Sequence, residues 1–219
     1  MFDYVAKSFS NAGIWMWLIA FVACVALAVM IERFIALWLF YSTPKTFMPD
    51  IQKCVMTNNL DRAIKACNSL PRAKLPKVVK AGMTRANAGE MEIKTAINEA
   101  VLEVVPDIQK RTPNLQAIGN IATLLGLLGT VVGLIQAFQT LATVSADKRQ
   151  EVLGSNIAIA MDTTAFGLIV AIPCLAAYVF YANKTKSMLD EIDQYSVKLE
   201  NLLVHRLKGR LSEEPEAKR

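Results

Sequence analysis

The sequence predicts an all-α membrane protein, with three transmembrane helices that carry long cytoplasmic helical extensions. Three observations lead there. Two stretches of 28 residues each, 115–142 and 155–182, contain a single charged residue between them, Asp162. At about 1.5 Å per residue, either can cross a hydrocarbon core about 30 Å thick. A further run from Ile14 to Ile31 is apolar and uncharged. The rest is polar with helical periodicity, so apolar residues reach only 53% and mean hydropathy only +0.33. Those values lie between a soluble domain and an all-membrane transporter.

Charge sets the expected orientation. Of the 24 Lys and Arg, 13 lie between Arg33 and Arg111 and 8 between Lys184 and Arg219, against 1 before the first span and 2 in the turn between the later spans. By the positive-inside rule, the middle segment and C-terminus are cytoplasmic, while the N-terminus and the turn are periplasmic. The net charge of +5 then reflects topology and contact with anionic lipids. No basic cluster is interleaved with aromatics, so a nucleic-acid partner is not expected. Only Lys7 precedes the first run, which continues well past Cys24, so the run is expected to be a span and not a cleaved signal.

Each element follows in order. Residues 1–11 form a short amphipathic periplasmic segment. Residues 12–41 are the first span and its cytoplasmic continuation, with Trp15 and Trp17 at the level of an interfacial aromatic belt. Glu32 and Arg33 stand at its exit, where they pair with each other, pair with a neighbouring subunit, or mark the headgroup level. Residues 42–114 read as a cytoplasmic helical domain. Pro44 and Pro49 break the helix pattern, and Ile51, Val55, Ala63, Ile64 and Cys67 are spaced as one face of amphipathic helices. Pro71 and Pro76 punctuate a connector, and Ala88-Gly89 is a turn. Glu90 then opens a long helix carrying Ile93, Ile97, Val101, Leu102 and Val105. It is expected to run into the second span, kinked but not stopped by Pro106 and Pro113. The spans 115–142 and 155–182 are joined by a turn at 143–154. Residues 183–211 continue as a helix with one apolar stripe, including Leu189, Ile192, Leu199 and Leu203. Residues 212–219 read as a disordered polar tail.

Catalysis finds little support. No serine or cysteine has a plausible base, and the single histidine, His205, reads as a surface residue. The four cysteines have no metal-ligand spacing and are expected to be reduced and structural. Neither a catalytic residue, nor a metal, nor a cofactor is expected.

The informative polar groups lie inside the spans. A carboxylate near the bilayer centre costs roughly 2.5–3.5 kcal/mol on insertion scales, so Asp162, about a quarter to a third of the way down its span, either faces protein or water and marks an ion path or lies close enough to the outer surface to be wet. Thr163 and Thr164 follow it. Thr130 sits at a depth comparable to Thr164 on the antiparallel second span, so the two hydroxyls can lie side by side. There they line a proton or hydrated-ion route, or simply hydrogen-bond the helices together. Gly126, Gly129, Gly133 and Gly167 belong to small-residue stripes that let helix backbones approach closely, as in a multi-helix ring.

The stretches LLGLLGTVVGLIQAF (Leu124 to Phe138) and TTAFGLIVAIPCLAAYVFY (Thr163 to Tyr181) resemble the paired signatures of the MotA/TolQ/ExbB proton-channel family. IERF, Ile31 to Phe34, is similar to the end of that family's first span, and the length resembles the TolQ/ExbB branch. The resemblance implies a homopentamer in the bacterial inner membrane, with its second and third spans around a central pore. It also implies two copies of an ExbD/TolR-like single-span partner inside the pore, and a TonB/TolA-like or other effector beyond it. Proton-motive force would thereby be coupled to periplasmic or outer-membrane work, with the proton as coupling ion and sodium as the alternative. Thr130 and Thr164 match the family's pore-facing hydroxyls. The family places a glutamate five residues before the second of these, where this chain has Ile159. Asp162, three residues on and about 60° around the helix, is the candidate substitute. The competing reading is a non-conducting membrane scaffold that organises partner proteins.

Overall fold

The computed structural model describes residues 13–40 and 46–213. The N-terminal segment 1–11, the break at Pro44 and the tail from 214 onward lie outside the described residues.

Seven α-helices follow one another, with no strand among the described residues: α1 (Gly13–Phe40), α2 (Phe47–Met56), α3 (Leu60–Asn68), α4 (Lys74–Thr84), α5 (Glu90–Gln109), α6 (Thr112–Leu141) and α7 (Arg149–Glu213). Three helices are long and apolar enough to span a bilayer. On α1, Trp17 and Trp38 are both exposed. The protein is a multi-pass, all-α membrane protein.

The contacts divide the chain into two units. A membrane unit takes the chain up to Arg33 together with Arg111–Tyr181, and a second unit takes Phe34–Lys110 with the chain from Ala182 on. Within the second unit, α2 to α5 pack as successive neighbours around Ile51, Val55, Val78, Met83, Ile93 and Ile97, and the α7 residues Leu199 and Leu203 are buried there as well. Gly82 permits the closest approach, since a Cβ there would stand 2.8 Å from Ile97 Cγ1 and 3.2 Å from Leu199 Cδ2. Tight turns need left-handed backbone at Asn58 (φ 58°) and Gly89 (φ 132°). Arg206 on α7 fastens two turns at once, donating from Nε to Asn58 Oδ1 at 2.9 Å and from Nη1 to Asn87 Oδ1 at 3.3 Å. Lys74–Asp107 and Lys77–Glu103, each 2.6 Å, tie α4 to α5.

Two features differ from the sequence reading. The helix opened by Glu90 does not run kinked into the second span: α5 ends at Gln109, and the chain turns at Lys110–Arg111, with Arg111 left-handed at φ 65°. Pro113 explains the stop, because it has no N–H for the Gln109 carbonyl and its ring crowds that oxygen. Placed in the first turn of α6, it costs nothing, since an N–H there would have no helical partner. Pro106 stays inside α5. At the other end, α7 starts at Arg149 and the connection contracts to residues 142–148, closed by a 3₁₀ turn at Ala146–Lys148. Gln150, Glu151 and Leu153 are good helix formers, and the single Gly154 costs only about 1 kcal/mol relative to alanine. The same helix passes Pro173 and continues to Glu213, taking in Ser212.

Candidate functional site

Within the membrane unit, α6 and α7 are antiparallel and meet along a seam of small residues. A Cβ at Gly167 would stand 2.8 Å from the Ala122 carbonyl oxygen and 2.9 Å from Gly126 Cα; one at Gly126 would stand 3.2 Å from both Gly167 Cα and Thr164 Cα. One at Gly129 would stand 2.6 Å from Thr163 Oγ1, and one at Gly133 2.7 Å from Ala160 Cβ. Two backbones can come this close only where side chains are absent, and close approach strengthens dispersion contacts and interhelical hydrogen bonds.

The seam brings together the hydroxyls on its flank. The Thr130 and Thr164 hydroxyls hydrogen-bond to each other directly. Thr164 Oγ1 also donates to the Gly126 carbonyl at 2.8 Å, and Thr130 Oγ1 stands 3.2 Å from the same carbonyl and 3.4 Å from that of Ala160. Thr163, buried in the seam, donates to the Ala160 carbonyl at 2.6 Å. Thr130 and Thr164 are half-buried, so one side of the pair is open. Each hydroxyl has one proton and two lone pairs. With Thr164 donating to Gly126 and Thr130 donating to Thr164, both protons are committed while lone pairs stay available. The pair can therefore accept a hydrogen bond freely, and can donate one outward only by giving up an internal bond.

Asp162 lies on another side of α7. It is half-buried on α7, two residues before Thr164 and about 200° around the helix from it, and the cluster's bonds run among Gly126, Thr130, Ala160, Thr163 and Thr164. Ile159 is half-buried too.

At the other end of the unit, Glu32 forms an ion pair with Arg111 at 2.5 Å, and its neighbour Arg33 is buried with 2% of its surface exposed. The Tyr181 hydroxyl donates to the Met30 carbonyl at 3.1 Å. Arg111 and Tyr181 were not singled out from the sequence. No spacing rule links residues 79 positions apart; the only local signal was a cation placed between a helix end and Pro113.

In the second unit, burial pushes the Cys67 thiol up to about 11, which suits a structural thiol better than a reactive one. The hydrogen bond and charge of Lys74 hold Asp107 below the ordinary carboxylate range.

The model of the MotA/TolQ/ExbB proton channel family matches residues 71–194, more than half of the chain. The biopolymer transport protein exbB1 of Vibrio cholerae is 38% identical over 95 residues, covering 42% of each chain. A putative ExbB-like biopolymer transport protein of Helicobacter pylori is 33% identical over 86 residues, 39% of this chain and 57% of its own. The Tol-Pal system protein TolQ of Haemophilus influenzae is 32% identical over 99 residues, 45% of this chain and 41% of its own. The matched stretch thus spans between two fifths and three fifths of these relatives.

Proposed function

Because the chain belongs to the MotA/TolQ/ExbB proton channel family, we propose that it is the channel subunit of an energy-transducing complex in a bacterial inner membrane. Several copies, five on the family pattern, form a ring whose pore is lined by α6 and α7. The pore holds the spans of an ExbD/TolR-like partner, expected in two copies, which pass force to a TonB/TolA-like or other effector. The second unit is cytoplasmic and the turn at 142–148 periplasmic. The observation that carries this reading is the half-buried hydroxyl pair Thr130–Thr164, set between two helices with one charged residue between their apolar arms.

Proton counting gives the pair a role. A guest carboxylate that is ionised can only accept hydrogen bonds, so Thr130 must turn its proton outward and release Thr164. Once protonated, the guest becomes a donor, and the open lone pairs receive it while Thr130 returns to Thr164. The exchange costs about one interhelical hydrogen bond, on the order of 0.6 kcal/mol. A proton crossing 100 mV releases about 2.3 kcal/mol, enough to drive the exchange in one direction. Asp162, on another side of α7, would serve the approach of the ion and not the exchange itself. Sodium in place of the proton is tested by replacing sodium with choline in the assay.

The experiment is reconstitution with a single-span partner in vesicles under an imposed proton gradient. Thr130→Val and Thr164→Val, which keep shape and remove the hydroxyl, are expected to reduce proton flux about a hundredfold or more, the range seen when a positioned proton-transfer group is lost. Ring size by native mass spectrometry should not change, and Thr130→Ser should retain flux. Undiminished flux in both valine variants would refute the channel role. A complex that drives its effector with no flux in any variant would instead favour the scaffold. Asp147→Cys should react with an impermeant maleimide added from the periplasmic side; reaction from the cytoplasmic side alone would reverse the topology.

A further inference from the structure

The chain leaves the membrane unit at Arg33 on α1, at Arg111 before α6 and at Tyr181 on α7. All three crossings are tied together. Glu32 holds Arg111 at 2.5 Å and the Met30 carbonyl accepts from Tyr181 at 3.1 Å, so α1 serves as common anchor for the other two within a single turn. Arg111 is the residue that caps α6, and it sits at φ 65°, a conformation an L-residue with a side chain keeps only where its surroundings enforce it.

We infer that Glu32, Arg111 and Tyr181 are positioning residues: they fix the axial level and rotation of α6 against α7, and so the register in which Thr130 meets Thr164. The functional weight of this rests on the hydroxyl pair being the working site. Helix α6 is unbroken from Thr112 to Leu141, so whatever rotates or slides its first turn moves Thr130, about 28 Å along the axis, by the same amount. At mid-helix the hydroxyl bonds to the Gly126 and Ala160 carbonyls hold the seam, and the contacts of Glu32 and Tyr181 hold it at the end where the chain leaves the unit. Gly133 lies against Ala160 and Gly126 against Gly167, while nearer the Arg111 end Gly119 lies against the Leu175 side chain and the Ala171 carbonyl. Small residues set how near two helices come, whereas polar contacts of fixed length set the register, and the contacts of Arg111 and Tyr181 with α1 add to those of the hydroxyls themselves. With side chains 47% and 42% exposed, the Arg111–Glu32 pair contributes little to stability as such; its effect is on position.

Position is read by cross-linking. The four native cysteines are replaced by alanine, Thr130→Cys and Thr164→Cys are introduced together, and the rate of disulfide formation is measured in membranes on the assembled full chain. Glu32→Gln and Arg111→Gly should each slow it about twofold to fivefold, the factor an ion pair of this exposure supports. Glycine keeps the left-handed turn accessible, so slowing in that variant reports the lost guanidinium. The charge exchange Glu32→Arg with Arg111→Glu should recover most of the parent rate. Should any of these fail to assemble, Tyr181→Phe, which removes one hydroxyl, is expected to slow the reaction in the same sense. An unchanged rate in assembled Glu32→Gln and Arg111→Gly overturns the inference. Proton flux in the same backgrounds with native threonines separates the two readings. A slowed cross-link with full flux supports the positioning role and refutes the hydroxyl pair as the working site. Lost flux with an unchanged cross-link refutes the positioning role and leaves the hydroxyl pair standing.

Discussion

Replacing Gly167 by alanine would place a methyl group 2.8 Å from the Ala122 carbonyl oxygen, 2.9 Å from Gly126 Cα and 3.2 Å from Gly126 N. All three are backbone atoms of α6, so no flexible side chain can yield. Ordinary contact lies near about 3.5 Å, so α6 and α7 must part by roughly 0.6 Å at this level. The bond from Thr164 to the Gly126 carbonyl, now 2.8 Å, then approaches the length at which a hydrogen bond ceases to count. Overpacking of this kind costs about 1–3 kcal/mol and the weakened interhelical bond about 0.6 kcal/mol, against a gain of about 1 kcal/mol for alanine over glycine in a helix. The net expectation is a loss of about 1–2 kcal/mol, with a fall in proton flux. Unfolding by titration with SDS, followed by circular dichroism, measures the first part. Gly154→Ala is the control: nothing lies within 4 Å of its Cβ, so only the gain of up to about 1 kcal/mol should appear. A Gly167→Ala protein as stable as Gly154→Ala would refute the claim that the seam is closed to a methyl group.

Three further outcomes are expected. Cys67, buried and pushed up to about 11, should resist maleimide at neutral pH until the second unit unfolds, while the half-buried Cys54 reacts sooner. Its folded value lies above its ordinary one, so its contribution to stability is complete below about pH 9 and is lost as pH rises towards 11; Cys67→Ala should flatten that alkaline loss. Asp107 shows the opposite sign. Its depressed value means that the Lys74 pair stabilises above the ordinary carboxylate range, near about 3.9, and fades as pH falls through the folded value. Lys74→Met should return the Asp107 titration, followed by NMR, to the ordinary range, and no movement would refute the pairing. Ser196 is buried between Ile192 and Leu199 with no hydrogen-bond partner for its hydroxyl among the described residues. Ser196→Ala should therefore be neutral or stabilising by up to about 1 kcal/mol in denaturant titration, and a clear loss would point to a partner for that hydroxyl.

What the sequence by itself determined is whatever depends on local pattern. Hydropathy marked the three spans, since a bilayer imposes a length that a run of residues either has or lacks. Periodicity marked the face carrying Ile51, Val55, Ile93 and Ile97, and the rarity of polar groups in the spans drew notice to Thr130 and Thr164. Tertiary structure decided the rest, because local pattern states which face will be covered but not what covers it. That Glu32 meets Arg111, that Tyr181 reaches the Met30 carbonyl, and that Gly167 lies against Gly126 are consequences of three helices folding back on one another. The stop at Lys110–Arg111 belongs here too. Pro106 and Pro113 are the same residue, yet one is carried within a helix and the other stands in the first turn of one. At the second of these the chain makes a left-handed turn at Arg111, which meets a partner 79 residues away along the chain.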